Sequence, residues 1–245
     1  MKCPSCKREL NEDYNFCPFC GYPLKETQKI TLRTKSWECR AKGKLKEAIK
    51  ICEQIPEKDA YNHKSLGEMY YLIGNMDKAI HHYEETIKMM PEFPDTYYSL
   101  GIAYYRSGKL KEAIKNLEKC LKLNEDFVMA HYWLGIAYYH RGNFKKAVEH
   151  YEAFLCKNPD SKIACYHMGV VLMAMGRYKD AITNFEKLLE INPDDEALHY
   201  HLGHAYYLIH DIPHAIKFLK KAVELNPEDE RAKKLLSLIT EPREP

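Results

Sequence analysis

Small and apolar residues return along most of this chain at a fixed interval, with polar residues between them. Glycine occupies the same place in five successive segments, each 34 residues after the last: Gly67, Gly101, Gly135, Gly169 and Gly203. An alanine keeps the same step, at Ala79, Ala113, Ala147, Ala181 and Ala215. So does a leucine or methionine, at Leu66, Leu100, Leu134, Met168 and Leu202. A period of this length without slippage predicts an array of helix pairs.

Residues 128–161 show the pattern of one unit. A first helix is predicted to end near Gly142 and a second before Pro159, because glycine favours helix C-termini and proline cannot continue a helix. Five regular units are predicted at 60–93, 94–127, 128–161, 162–195 and 196–229. A shorter, degenerate unit at 29–59 precedes them. An amphipathic capping helix at 230–239 and a loose tail at 240–245 follow.

The last regular unit departs from the pattern at its central turn. Residues 210–213, His-Asp-Ile-Pro, replace the glycine found in the other units. Asp211 or a neighbour is predicted to cap the second helix there, and Pro213 suits its first turn.

Four motifs recur in the units: Leu-Gly-x-x-Tyr-Tyr in the first helix, glycine at the turn, Ala-Ile or Ala-Val in the second helix, and Asn-Pro at its end. Together these motifs resemble tetratricopeptide repeats. The resemblance covers about nine tenths of the chain. It implies an all-α fold, a right-handed superhelix of helix pairs whose first helices line a concave groove. The small residues Gly135 and Ala147 are expected where the two helices of a unit cross, since larger side chains would force the axes apart.

The inward positions of the first helices define a predicted binding groove for a peptide or a partner helix. Helical neighbours at i+3, i+4 and i+7 share a face, and rigid tyrosines bury large areas at low rotamer cost. The predicted groove residues are Lys64, Tyr71, Tyr98, Ile102, Tyr105, Tyr132, Ile136, Tyr139, Tyr166, Val170, Met173, Tyr200, His204 and Tyr207. Tyrosines at these places are also common in ordinary repeats of this family, where they partly pack between units.

The first 24 residues carry two Cys-x-x-Cys pairs and no helical periodicity. Ten residues separate the pairs, which is enough for a hairpin turning near Asn11 to Asp13. Four thiolates on two facing turns suit the tetrahedral preference of Zn²⁺, so the predicted ligands are Cys3, Cys6, Cys17 and Cys20. Redox-active pairs or a disulfide knot are the alternatives, but no βαβ pattern or secretory signal accompanies them.

This segment resembles the minimal zinc ribbons that open many prokaryotic proteins, with Met-Lys-Cys-Pro-x-Cys followed by Phe-Cys-Pro-x-Cys-Gly. The resemblance implies a small four-cysteine hairpin with structural zinc as its cofactor. Lys7 stands where such ribbons usually have glycine, so its turn is expected to be strained.

Composition changes the picture only at the N-terminal end. The 245 residues are 45% hydrophobic and 29% charged, with a net charge of +2, but residues 1–50 hold twelve Lys or Arg against six acids. That excess could favour an acidic partner. The sequence has no apolar run of membrane-spanning length and no signal-peptide core, so a cytoplasmic protein is expected.

Neither a phosphate-binding loop nor a nucleophile elbow nor a positioned carboxylate pair is visible in the sequence. We therefore expect a protein that is not an enzyme and has no small-molecule substrate. The leading hypothesis is an adaptor that binds another protein. The alternative is a nucleic-acid-associated regulator that uses the basic ribbon and recruits a partner through its repeats.

Overall fold

The computed structural model describes residues 1–3, 5–11, 14, 16–22, 30–55 and 58–241. Regular secondary structure in these residues includes thirteen α-helices and an isolated antiparallel bridge between Lys2 and Glu9. The helices are α1 (Ile30–Ala41), α2 (Leu45–Glu53), α3 (Ala60–Leu72), α4 (Met76–Met89), α5 (Pro94–Arg106), α6 (Leu110–Leu123), α7 (Val128–His140), α8 (Phe144–Lys157), α9 (Lys162–Ala174), α10 (Tyr178–Ile191), α11 (Glu196–Leu208), α12 (Ile212–Leu225) and α13 (Glu230–Thr240). The chain divides into two compact units, residues 1–130 and 131–245, with the boundary near the start of α7.

In the first unit, three helix pairs pack in sequence. The pairs are α1 with α2, α3 with α4 and α5 with α6, and α2 and α4 also pack on the pair that follows each. The core is built from fully buried apolar side chains such as Leu66 and Met69. Helix α1 belongs to the predicted degenerate unit and contributes a polar residue instead, because buried Ser36 donates a 2.8 Å hydrogen bond to the carbonyl oxygen of Ala48.

In the second unit, α9 pairs with α10 and α11 with α12, and α13 packs on α12. Ala232 of α13 lies in a buried cluster with Leu219 and Ala222. This contact covers the last repeat, as expected for a capping helix. Helix α13 includes Thr240, which the sequence analysis assigned to the loose tail, and residues 242–245 lie outside the described part of the chain.

The recurring glycines lie where the sequence predicts, at the crossing of the two helices in each pair. A Cβ atom added at Gly135 would stand 2.7 Å from the ring of Tyr151, and one at Gly169 would stand 2.4 Å from the ring of Phe185. Both distances are shorter than an ordinary carbon contact of about 3.5–4.0 Å. The period of 34 residues therefore follows from a steric requirement repeated in every pair.

The turns inside the pairs use left-handed backbone. Gly142 has φ of +75°, and its equivalents in the other regular units before the last have similar values. In the last unit His210 takes this conformation with φ of +63°, while the Asp211 side chain accepts a hydrogen bond from the backbone N–H of His214. The predicted cap is confirmed, and a non-glycine residue bears the conformation that glycine has elsewhere.

No helix in the described residues combines the length and the apolar character that a bilayer crossing requires.

Candidate metal centre and first-helix faces

Four cysteine sulfurs near the N-terminus lie within 4.8 Å of one another: those of Cys3, Cys6, Cys17 and Cys20. The Sγ atoms of Cys3 and Cys20 are 3.5 Å apart, and so are those of Cys6 and Cys17. Cys3 and Cys17 are buried, and the other two are half-buried. A group of this kind could hold a metal ion.

Two similar turns bring the sulfurs together. The backbone N–H of Lys7 donates to the carbonyl oxygen of Cys3 at 3.0 Å, and that of Gly21 donates to Cys17 at 2.8 Å. Lys7 has φ of +64° and Gly21 has φ of +72°. Lys7 thus adopts a conformation that costs an L-residue about 1–2 kcal/mol, which accounts for the glycine usual at this place in the resembling ribbons. Glu12 and Asp13, part of the predicted hairpin turn, lie outside the described residues.

The thiols differ in acidity because their surroundings differ. The backbone N–H of Arg8 lowers the pKa of Cys6 to about 7, whereas burial raises the pKa of Cys20 to about 12. Burial also raises the pKa of Cys17. Deprotonation of all four thiols in so small a volume would require a compensating cation, and this requirement matches the chemistry of a divalent metal site.

The segment that carries these cysteines, residues 1–22 and hereafter the cysteine segment, packs on the first helix pair. The ring of Tyr22 meets Trp37 of α1 edge to face, with centroids 4.7 Å apart. The Arg33 guanidinium lies 4.4 Å from the centre of the Phe16 ring, and it also donates to Asp59 at 2.8 Å, at the start of α3. The cysteine segment is therefore docked against α1 and tied through Arg33 to α3.

On the first unit, the predicted groove residues lie on α3 and α5. Tyr71, Tyr98 and Tyr105 are half-buried, and the Lys64 side chain is 12% exposed. Ile102 is only 7% exposed, so it offers little surface to a ligand.

On the second unit, the predicted groove residues lie on α7, α9 and α11. Most of them are half-buried: Ile136, Tyr139, Tyr166, Val170, Met173, Tyr200, His204 and Tyr207. Tyr132 is 9% exposed because it packs against neighbouring rings that include Phe154 and His167. The Tyr166 hydroxyl lies 2.9 Å from Nε2 of His201, and the Arg231 guanidinium stacks 4.6 Å from the centre of the Tyr200 ring.

Three sequence models of one family cover residues 67–108, 98–162 and 172–239, which together make more than half of the chain. All three describe the tetratricopeptide repeat. The chain is a tetratricopeptide repeat protein. The last match runs through α13, so the capping helix lies inside the matched region. Residues 1–25 match a different model, a domain of unknown function (DUF7575). No curated protein sequence matches the chain.

Solved structures agree with the tetratricopeptide assignment. Residues 41 to the end of MamA from Desulfovibrio magneticus RS-1 match with a TM-score of 0.67 at 22% identity, over 71% of this chain and 98% of that one. YrrB, described as a tetratricopeptide repeat protein with an unusual peptide-binding site, matches with a TM-score of 0.67 at 20% identity, over 78% and 96%. Another MamA crystal structure matches at 29% identity with a TM-score of 0.62, over 69% and 97%.

Two repeats carry a side-chain cluster that the sequence analysis missed. In each, two histidine Nδ1 atoms lie 3.0 Å apart, one ring stacks on a tyrosine at 5.5 Å, and a lysine donates to that tyrosine at 3.2 Å. The clusters are His63, His82, Tyr70 and Lys78, and His131, His150, Tyr138 and Lys146. Corresponding members of the two clusters are 68 residues apart, which is two full periods. This repeated spacing is the sequence feature from which the clusters could have been predicted.

Proposed function

We propose that this tetratricopeptide repeat protein is a non-catalytic adaptor, which holds a peptide or helix of a partner protein against the first-helix faces of its repeats. The observation that carries the proposal is the recurrence of tyrosine at one first-helix position, at Tyr98, Tyr132, Tyr166 and Tyr200, in a family whose fold is a scaffold for protein interactions.

The chemistry of the second unit's face favours a peptide ligand. Tyr166 and Tyr200 are half-buried on this face, and Val170 and Met173 lie on the same helix as Tyr166. Rings fixed by packing lose little rotamer entropy on binding, and their hydroxyls can serve peptide N–H and C=O groups. The peptide-binding site described for YrrB supports this use of the fold.

We infer further that the cysteine segment holds structural Zn²⁺ through Cys3, Cys6, Cys17 and Cys20. The sulfur separations of 3.5 Å in the pairs Cys3–Cys20 and Cys6–Cys17 are close to the roughly 3.8 Å expected around a tetrahedral ion with bonds of about 2.3 Å. The ion would supply folding energy to a segment with little apolar core of its own. Because the ligands must be thiolates, binding should release protons and weaken as the pH falls.

The adaptor proposal is tested by purifying the full chain with its partners from its native cells and identifying them by mass spectrometry. Replacing Tyr166 and Tyr200 together by alanine should remove at least one partner that the wild type retains. Tyr178→Ala is the matched control, since Tyr178 begins α10, a second helix, and is not on a first helix. Retention of every partner by the double variant, with unchanged helicity in circular dichroism, would refute the proposal.

The zinc proposal is tested on the same purified chain. One zinc per chain and four thiols protected from alkylation until a chelator is added are expected. Cys17→Ser should lose most of the metal, whereas Cys156→Ser, at an exposed cysteine in α8, should keep it. Thiols that stay reactive in the zinc-loaded protein would instead indicate redox chemistry.

A further inference from the structure

Positive side chains gather where the cysteine segment meets the first-helix faces of α3 and α5. Arg40 of α1 pairs with Glu68 of α3 at 2.7 Å, and Lys64 lies 3.6 Å from the same carboxylate. Arg106 at the end of α5 stacks 4.8 Å from the centre of the Tyr71 ring, one helical turn beyond Glu68. Two cations thus adjoin the Glu68 carboxylate, and a third lies on the ring one turn further along α3.

The cysteine segment adds a fourth cation to the same surface. Phe19 lines a crevice of about 20 Å³ together with Arg40, Lys64 and Glu68. The Arg8 guanidinium lies 4.5 Å from the centre of the Phe19 ring. Phe19 is 40% exposed, and Arg8 is exposed. The segment therefore extends the face of α3 rather than standing apart from it.

The two outer cations are held in place but not neutralised. Arg8 and Arg106 each rest on an aromatic ring, and in the part of the chain that the structure describes neither pairs with a carboxylate. An arginine fixed on a ring keeps the donors of its guanidinium edge available and loses little entropy when they bind. Such donors fit carboxylates bidentately.

We propose that the cysteine segment and the first-helix faces of α3 and α5 form one binding surface for an acidic peptide segment of the partner protein. This inference rests on the proposed adaptor function and adds the chemical class of the ligand. Carboxylates of the peptide would pair with Arg8 and Arg106, and Tyr71 and Phe19 would contact its apolar side chains. Zinc loading would position Arg8 and Phe19 through the turns that hold Cys6 and Cys20.

A peptide suits this surface better than a nucleic-acid backbone does. The Glu68 carboxylate lies next to the cations Arg40 and Lys64. A phosphate backbone crossing the surface would meet this carboxylate and has no hydrogen-bond donor for it. A peptide can place backbone N–H groups there while its acidic side chains reach the arginines on either side. Association should be steered by charge and weaken as salt is added.

The test is fluorescence anisotropy on the full, zinc-loaded chain with a labelled peptide of glutamate interspersed with alanine and leucine. The matched probe has glutamine in place of each glutamate. We expect the glutamate peptide to bind at least about tenfold more tightly, a difference of about 1.4 kcal/mol. Arg106→Ala and Arg8→Ala should each weaken it several-fold, and Arg106→Glu should abolish the preference. Arg141→Ala, at an exposed arginine of the second unit, should leave the affinity unchanged.

Equal binding of the two peptides would overturn the inference, and so would a glutamate peptide that binds Arg8→Ala and Arg106→Ala as tightly as the wild type. A single-stranded oligonucleotide that displaces the glutamate peptide at lower concentration than unlabelled peptide would replace it with nucleic-acid binding. If these probes fail while Tyr166 and Tyr200 remain necessary for partner capture, the adaptor function stands and only the acidic ligand falls. If capture does not depend on those tyrosines, the adaptor proposal itself fails.

Discussion

Replacing Gly169 by alanine tests the steric origin of the 34-residue period. The added Cβ would lie 2.4 Å from Cε1 and 2.7 Å from Cζ of Phe185, so the ring would have to move by about 1 Å to reach normal contact. Phe185 is fully buried and stacks on His201 at 5.3 Å, which restricts that movement. Overpacking of this kind costs about 1–3 kcal/mol. Alanine gains about 1 kcal/mol over glycine within a helix, so a net loss of about 1 kcal/mol is expected.

A double-mutant cycle separates the two effects. Phe185→Ala alone should destabilise the protein by about 3–5 kcal/mol, because a large buried ring is lost. Gly169→Ala added to that variant meets no ring and should stabilise it by about 1 kcal/mol. The effect of one methyl group therefore changes sign with its neighbour, which corresponds to a coupling energy of about 2 kcal/mol.

Urea unfolding followed by far-UV circular dichroism gives the four stabilities. Gly176→Ala is the control, since Gly176 has φ of +74° and contacts no buried ring, so its loss should be the same with and without Phe185. Equal effects of Gly169→Ala in both backgrounds would show that the glycine is not required by the helix crossing, and the steric account of the repeat would be wrong.

Three further predictions concern strain, pH and docking. His210→Gly should raise the free energy of unfolding by about 0.5 kcal/mol in urea titrations, since relief of a left-handed conformation exceeds the entropy cost of glycine. Lys7→Gly should stabilise the zinc-loaded cysteine segment for the same reason. A loss of stability in either variant would show that the left-handed residue is not strained. Burial lowers the pKa of His201 from 6.5 to about 4. Its neutral ring therefore contributes stability above pH 6.5 that is lost as the pH falls toward 4. Across that range, the urea midpoint should drop less steeply in His201→Gln than in the wild type. Arg33→Ala should lower the free energy of unfolding by about 1–2 kcal/mol and expose the cysteine segment to limited proteolysis, because Arg33 links Phe16 to α3. Unchanged cleavage would show that other contacts hold the segment.

The fold was largely predictable because its determinants are local and repeated. The crossing at Gly135, the turn at Gly142 and the cap at Asp211 each follow from the residue type at a fixed place in the unit. The left-handed His210 was not predictable. Histidine is more frequent in that conformation than most non-glycine residues but still adopts it only occasionally, so the residue type alone does not predict it.

The candidate sites were predictable only in part. Spacing brought the four cysteines together, but the docking of the cysteine segment depends on pairs such as Arg33 with Phe16 and Trp37 with Tyr22, which follow no periodic pattern. Helical spacing also predicts which face of a helix a side chain lies on, but not how far neighbouring helices bury it. For that reason Ile102 shares its predicted face with half-buried positions such as Tyr98 and Tyr105 and is nevertheless buried.

The positions that vary between repeats are the ones that can determine which ligand each face binds. Small residues at the crossings are fixed by sterics, whereas the first-helix position that holds tyrosine in four repeats holds Lys64 in the earliest regular one. One turn later the same face has Glu68, then Ile102, Ile136, Val170 and His204. At these positions the charged residues, Lys64 and Glu68, therefore lie in the first unit next to the cysteine segment, and those of the second unit are aromatic or aliphatic apart from His204. Under the two binding proposals, substitutions on the first unit's face should change the salt dependence of partner binding. Substitutions on the second unit's face should change the affinity with little effect on that dependence.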